Sequence, residues 1–274
     1  LADGNLSERM RVKGTDDLAS LARSFNAMAD ELTSRAEALQ TSDRLRRQLL
    51  ADVSHELTTP VTAMRGYLET LTMSDFPLDE PTRARYLGIV ADETGRLERI
   101  IGDLLDLARL EGGGGALTIE SLRVADLFNR VCARHERTAT AAGVSFAVDV
   151  EAGADKVRGD RDRLEQALQN LAANALRYAP AGSAIDLIAR RKGQATALLV
   201  VDRGEGIAPE HLPHLFDRFY KVDASRVTRS GTSGTSHGSG LGLSIVKAIV
   251  ERHGGTVSVE SVAGRTAFQL VIPD

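Results

Sequence analysis

AIDLIARRKGQATALLVVD, residues 184–202, is the stretch whose reading decides the fold class. Two aliphatic-rich runs, Ala184–Arg191 and Ala195–Asp202, read as strands that follow one another with no helix between them. Upstream, the pattern predicts a strand over Leu117–Val124, a helix to about Ala142, a strand over Val144–Val150 and a helix over about Asp162–Ala179. Downstream, a polar stretch leads to a helix over Leu241–His253, and then Thr256–Glu260 and Thr266–Ile272 alternate like a closing antiparallel pair. Consecutive strands of this kind point to an α+β sandwich rather than a doubly wound parallel sheet.

The first half of the chain has a different period. Leu21, Phe25, Met28 and Leu32 recur at spacings of three and four, the seam of a coiled coil or bundle helix. The phase runs on through Ala36 and Leu39 and weakens over Gln40–Arg47. A second register then starts, in which Leu50, Leu57, Met64 and Leu71 fall seven apart, so two helical units are expected to join there. Ser74–Pro81 reads as a loop ending in a helix start, after which Tyr86, Val90, Leu97, Ile101, Leu104 and Ala108 return to helical spacing. Two such helices form an antiparallel hairpin whose seam needs a partner, and a homodimeric four-helix bundle supplies one. The run Glu111–Ala116 holds four consecutive glycines and marks a flexible joint and a domain boundary.

Composition narrows the classes. A chain of 274 residues with 42% hydrophobic and 26% charged residues suits two modest folded domains rather than disorder. A net charge of -4, from 34 basic and 38 acidic side chains, gives no basic surface for nucleic acid, so no nucleic-acid partner is expected. The single cysteine, Cys132, lies in an apolar-periodic run, where a small buried thiol is expected; alone it forms no internal disulfide and suits the cytosol. No apolar run has the length of a membrane-spanning helix. Because the sequence opens on Leu1 within what reads as a connector, it is expected to be a fragment of a larger protein.

Four constellations carry chemistry. In Ser54-His55-Glu56-Leu57-Thr58-Thr59-Pro60, His55 points away from the Leu50/Leu57 seam and shares its outward face with Thr59. Such an imidazole can offer a ring nitrogen to a phosphoryl group, with Glu56 holding the other ring N–H. Alone, the pair reads more readily as a solvated helix surface. On the helix Asn170–Tyr178, residues Asn170, Asn174, Arg177 and Tyr178 form a polar stripe beside the apolar one of Leu164, Leu168 and Leu171. Amide oxygens suit magnesium and an arginine suits phosphate oxygens, while a solvent-facing stripe is an equal reading. Asp202, Gly204 and Gly206 end a strand in a glycine turn, where the carboxylate could accept a hydrogen bond from an adenine amine; an ordinary strand-to-turn junction has the same look. Gly238, Gly240, Leu241 and Gly242 open a helix, a place where backbone N–H groups and the helix dipole favour phosphate. Between these last two, the polar stretch from Lys221 to His237, with Arg226 and Arg229, reads as a lid over nucleotide or as a simple insertion.

Taken in order, these pieces resemble the boxes of the sensor histidine kinases of two-component systems, over nearly the whole chain. The resemblance implies a HAMP-like relay remnant over 1–33, carried by Gly14-Thr15-Asp16-Asp17-Leu18 and Phe25-Asn26-Ala27-Met28-Ala29. It then implies a dimerisation and phosphotransfer domain over 34–111, a glycine linker over 112–116 and a catalytic ATP-binding domain of the GHKL (Bergerat) sandwich type over 117–274. It implies that His55 is phosphorylated from ATP, that Glu56 acts as base, and that Thr59 orients a water for phosphatase activity. Asn174, with Asn170 near it, would bind Mg2+; Asp202 would read adenine, with Gly204 and Gly206 beside it. Phe216–Lys221 resembles the F box at the lid root, and Gly238, Gly240, Leu241 and Gly242 the second glycine box. A response-regulator receiver domain is the implied partner, and a membrane receptor, anchored upstream of residue 1, the implied parent. The family often has lysine at Arg177, glycine at His237 and a basic residue at Thr58. Two rivals are an ATPase clamp like those of the heat-shock chaperone and gyrase, which generally carry glutamate at the place of Asn170, and a catalytically dead scaffold, which the intact nucleotide boxes argue against.

Overall fold

Side chains that pair four residues apart carry a single helix, α1, from Asp17 to Thr72 in a computed structural model. The chain is described over residues 9–10, 17–73, 78–112, 115–222 and 238–274. Gly14–Asp16, Ser74–Pro77, Gly113, Gly114 and the lid from 223 to 237, with Arg226, Arg229 and His237, lie outside the described residues. Two compact units result, Leu1–Thr59 and Pro60–Asp274.

In the first unit, the weakened seam over Gln40–Arg47 does not interrupt α1. The ion pairs Arg35–Glu31 and Arg47–Asp43 and the Gln48–Asp52 hydrogen bond, each spanning one turn, support the ladder there. The two apolar registers are thus carried by one uninterrupted helix. Near its start, the Asn26 side-chain amide donates to Met10 O and accepts from Met10 N, and Arg9 pairs with Asp30. Leu21, Met28, Leu32 and Leu39 are exposed along the seam, the face a partner helix would cover.

The second unit begins with the last turns of α1 and with α2, Glu80–Glu111, whose Asp79 cap accepts from Thr82 N and whose Pro81 sits in the first turn. Tyr67 and Tyr86 meet with ring centroids 5.0 Å apart, and the Thr94 hydroxyl reaches Met64 Sδ. Val61, Leu68, Leu87, Ile101 and Leu105 stay exposed on this hairpin. The sandwich follows as β1 (Glu120–Arg123), α3 (Val124–Ala142), β2 (Ser145–Val150), β3 (Lys156–Gly159), α4 (Arg161–Tyr178), β4 (Ala184–Arg191), β5 (Ala195–Asp202), α5 (Gly242–Arg252), β6 (Thr256–Val262) and β7 (Arg265–Pro273). The main sheet has the order β2-β4-β5-β7-β6, with β2 and β4 parallel and the other pairs antiparallel. β1 and β3 form a separate two-stranded ribbon. The short β3 has only one apolar residue, Val157, and was not readable from alternation.

One core joins these elements. Leu127, Phe128 and Val131 of α3, Leu164, Leu168 and Leu171 of α4 and Ile245 and Ile249 of α5 belong to the same buried cluster as Ile185, Leu187, Leu198, Val200, Phe268 and Leu270 of the sheet. Leu107 and Leu110 of α2 belong to it too. On either side of the unplaced pair Gly113 and Gly114, the chain is fastened to the lobe: Glu111 pairs with Arg218, and Gly115 O accepts from Arg252. Cys132 is half-buried against this core, and burial pushes its thiol pKa up.

Leu168 is fully buried in the centre of this cluster. Leu168→Ala should lower stability by about 2–5 kcal/mol, read as a shift in the denaturant midpoint with an unchanged slope.

Candidate nucleotide and phosphoacceptor site

His55 stands exposed on α1, and among the described residues its ring has no hydrogen-bond partner. The helix around it is laced by back-bonding hydroxyls: Ser54 donates to Leu50 O, Thr58 to Ser54 O and Thr59 to His55 O at 3.0 Å. Thr59 thus lies one turn from His55 on the same face, as the spacing predicts. Glu56 is half-buried. It follows His55 directly, so the helix turns it about 100° away from the imidazole. No His55–Glu56 hydrogen bond is formed.

The other candidates converge on the polar face of α4. Asp160 caps this helix by accepting from Arg163 N, and its own pKa is held down although burial works against that: Thr118 N–H, Arg163 N–H and the Arg163 charge favour the carboxylate. With Leu164, Leu168, Leu171, Ala172 and Ala175 buried, helical geometry turns Asn170, Asn174 and Arg177 the other way. The Asn170 amide donates to Gly242 O at 3.3 Å, which ties α4 to the start of α5. A Cβ on Gly238 would stand 2.6 Å from Arg177 Nη1, so the guanidinium lies against the turn that opens α5. The half-buried Asn174 amide makes no hydrogen bond among the described residues.

Asp202 closes the far end. It is 4% exposed, its Oδ1 accepts from Gly204 N at 2.9 Å, and its other oxygen has no partner among the described residues. A Cβ on Gly204 would meet Tyr178 O at 2.9 Å, which places this turn against the end of α4. Gly206 has φ +88°, and a Cβ there would stand 2.6 Å from Val262 O, so only glycine fits. Asn170, Arg177 and Tyr178 of α4 thus lie against Gly242, Gly238 and Gly204 in turn, while Gly206 packs on Val262 and Gly240 on Phe219. Leu241 is fully buried. Lys221 is exposed at the last described part of the lid root.

Three features were not legible from motifs. Phe219 adopts φ 60°, costly for an aromatic residue, and donates its N–H to Gly240 O at 2.9 Å, which ties it to the glycine turn that opens α5. The ring of Phe216 meets that of Phe268 edge-on at 6.2 Å. Ser239 donates to Asp103 of α2. An acid beside an apolar helix seam gives no signal of its partner until the fold brings the two together.

Burial raises the Asp202 pKa, with the Gly204 N–H opposing it. A folded-state pKa above the unfolded value means that ionisation weakens the fold. The penalty grows as pH rises from the ordinary aspartate value of about 3.9 through the raised one, and it persists above that. Asp202→Asn, which keeps an oxygen for Gly204, should therefore raise the thermal midpoint at pH 7, with the gain vanishing at pH 3. The Gly206→Ala variant should instead lose stability through strain.

With this geometry in place, the likenesses to known proteins can be assigned. Residues 159–274 match the histidine kinase-, DNA gyrase B- and HSP90-like ATPases, residues 45–113 the His Kinase A (phospho-acceptor) domain, and residues 1–34 the HAMP domain. The chain is 37% identical over 236 residues to the sensor protein SrrB of Staphylococcus aureus (strain NCTC 8325 / PS 47), covering 84% of this chain and 38% of that one. It thus spans well under half the length of such curated relatives. Full-length ShkA, solved in complex with AMPPNP, superposes with a TM-score of 0.59 at 26% identity, covering 82% of this chain and 45% of that one. Histidine kinase ThkA, solved with the response regulator TrrA, gives 0.66 at 22% identity, over 89% of this chain and 66% of that one, a likeness of fold. HAMP, phosphoacceptor and ATPase segments in this order, with a sensor protein as relative, show that the chain belongs to the sensor histidine kinase family.

Proposed function

We propose that this chain is the signalling part of a two-component sensor kinase that phosphorylates His55 from ATP and passes the phosphoryl group to an aspartate of a response-regulator receiver domain. The observation that carries the reading is the polar face of α4, set against the glycine turn of α5 and closed at one end by a buried Asp202, one oxygen of which has no partner among the described residues. That oxygen suits the exocyclic amine of adenine. The turn Gly238–Gly242 suits phosphates, through backbone N–H groups at a helix start, and Arg177 suits their oxygens.

The residues also fit a magnesium ion. The half-buried Asn174 amide has no partner among the described residues, and Asn170 turns its amide nitrogen to Gly242 O, which leaves its oxygen as an acceptor. Asn174 and Asn170 would hold the ion, which when bound neutralises triphosphate charge. In the transfer, a lone pair on one His55 ring nitrogen attacks the γ-phosphorus, the bond from that phosphorus to the bridging oxygen breaks, and ADP departs. The proton on the other ring nitrogen passes to Glu56, which needs a side-chain rotation at an i,i+1 spacing. In the second transfer, an aspartate oxygen of the regulator attacks the phosphorus, and the P–N bond breaks. Thr59, on the outward face beside His55, would orient a water for hydrolysis of the regulator's acyl phosphate. The regulator complex of ThkA and the AMPPNP complex of ShkA are the precedents for partner and nucleotide.

The exposed apolar residues Val61, Leu68, Leu87, Ile101 and Leu105 support a homodimeric four-helix bundle. The HAMP match supports a membrane receptor as parent, anchored upstream of residue 1. Among the described residues, no helix is long and apolar enough to cross a membrane.

Labelling with γ-labelled ATP should give an acid-labile phosphoryl group that His55→Gln abolishes, and acid-stable label or label persisting in His55→Gln would refute the assignment. Co-folding His55→Gln with Asn174→Ala subunits should restore label if transfer runs between subunits, and leave none if it runs within one. In sedimentation, Leu68→Glu should shift the dimer towards monomer.

A further inference from the structure

α2 reaches the nucleotide lobe through a second set of contacts besides its leucines. Asp106 accepts from Gln166 and pairs with Arg163, Glu111 pairs with Arg218, and Asp103 accepts from the Ser239 hydroxyl at 2.7 Å. The last contact reaches into the phosphate turn. Ser239 Oγ, its proton committed to Asp103, accepts in turn from the Leu241 N–H at 3.1 Å. Leu241 immediately precedes α5, so its N–H is one of the donors that a helix start leaves for an outside acceptor. The relay therefore runs from a helix amide through a hydroxyl to a carboxylate, and it consumes a donor that a phosphate would use. It also sets a carboxylate beside a turn suited to anions. That carboxylate is costly to hold there: burial pushes its pKa up and Asp106 adds to this, while Ser239 and Arg99 oppose it.

We propose that Asp103 is a positioning residue that makes seating of α2 and binding of nucleotide phosphates oppose each other, by fixing Ser239 on the Leu241 amide and placing negative charge beside the turn Gly238–Gly242. This rests on the nucleotide-site reading above. Opposed equilibria are reciprocal, so phosphates that enter the turn loosen α2 from the lobe by the same factor. Seating of α2 thereby becomes a means by which the helical hairpin lowers nucleotide occupancy.

The test titrates the intact chain, wild type and Asp103→Asn, with AMPPNP and, separately, with adenosine. Asn keeps the shape and an acceptor oxygen but removes the charge, so the fold should survive, and circular dichroism checks it. The expected result is AMPPNP binding tighter by about fivefold or more, the lower end of ordinary coupling between sites, with adenosine unchanged because it has no phosphates. Ser239→Ala added to Asp103→Asn should then give less than the sum of the two single effects, since both act on one relay, the first by removing its hydroxyl and the second by removing its charge. Equal or weaker AMPPNP binding in Asp103→Asn would overturn the proposal while leaving the kinase reading intact. An equal gain for adenosine, the mark of a purely structural effect, would do the same. A folded wild type that binds no AMPPNP would overturn both.

Discussion

Burial of one side of α4 is the constraint from which the rest of the second unit follows. Leu164, Leu168, Leu171, Ala172 and Ala175 can leave water only against the sheet and the neighbouring helices. Once they do, an 18-residue helix has no freedom in where its remaining side presents Asn170, Asn174 and Arg177. The apolar face thus positions chemistry it does not perform. The same logic applies to α5, where burial of Ile245, Val246, Ile249 and Val250 aims the helix start at that polar face.

Ionisable groups at the edges of this arrangement, Asp202 buried and Asp160 and Asp103 half-buried, pull in different directions. Asp160 is surrounded by donors and serves the fold as a helix cap. Asp202 has a single donor among the described residues, and burial holds its carboxylate at a cost to stability. Asp103 lies between these cases, since its hydroxyl partner, Ser239, belongs to the glycine turn that opens α5.

Much of this was legible in the residues, for identifiable reasons. The strands Ala184–Arg191 and Ala195–Asp202 fall where their aliphatic runs begin and end, because strand β5 is buried along nearly its whole length and admits no polar break. The helix over about Asp162–Ala179 is marked at its start by the acid Asp160 and by a clear apolar stripe. β3 was hidden because a four-residue ribbon pairs through its backbone and needs little apolar pattern. The register change near Gln40–Arg47 leaves α1 unbroken, because charged pairs one turn apart sustain a helix where the apolar phase weakens. The contacts of α2 with the lobe were invisible for a further reason: residues 103 and 239 are 136 positions apart, and neither side chain is unusual in its local setting.

Pro60 has consequences for mechanics. It lies inside α1 and carries no N–H, so the Glu56 carbonyl, in the very turn that displays His55, loses its ladder bond. A rod with one strut removed yields first at the gap under twist. A rotation imposed near Asp17 would therefore deform the helix most easily within a turn of the imidazole.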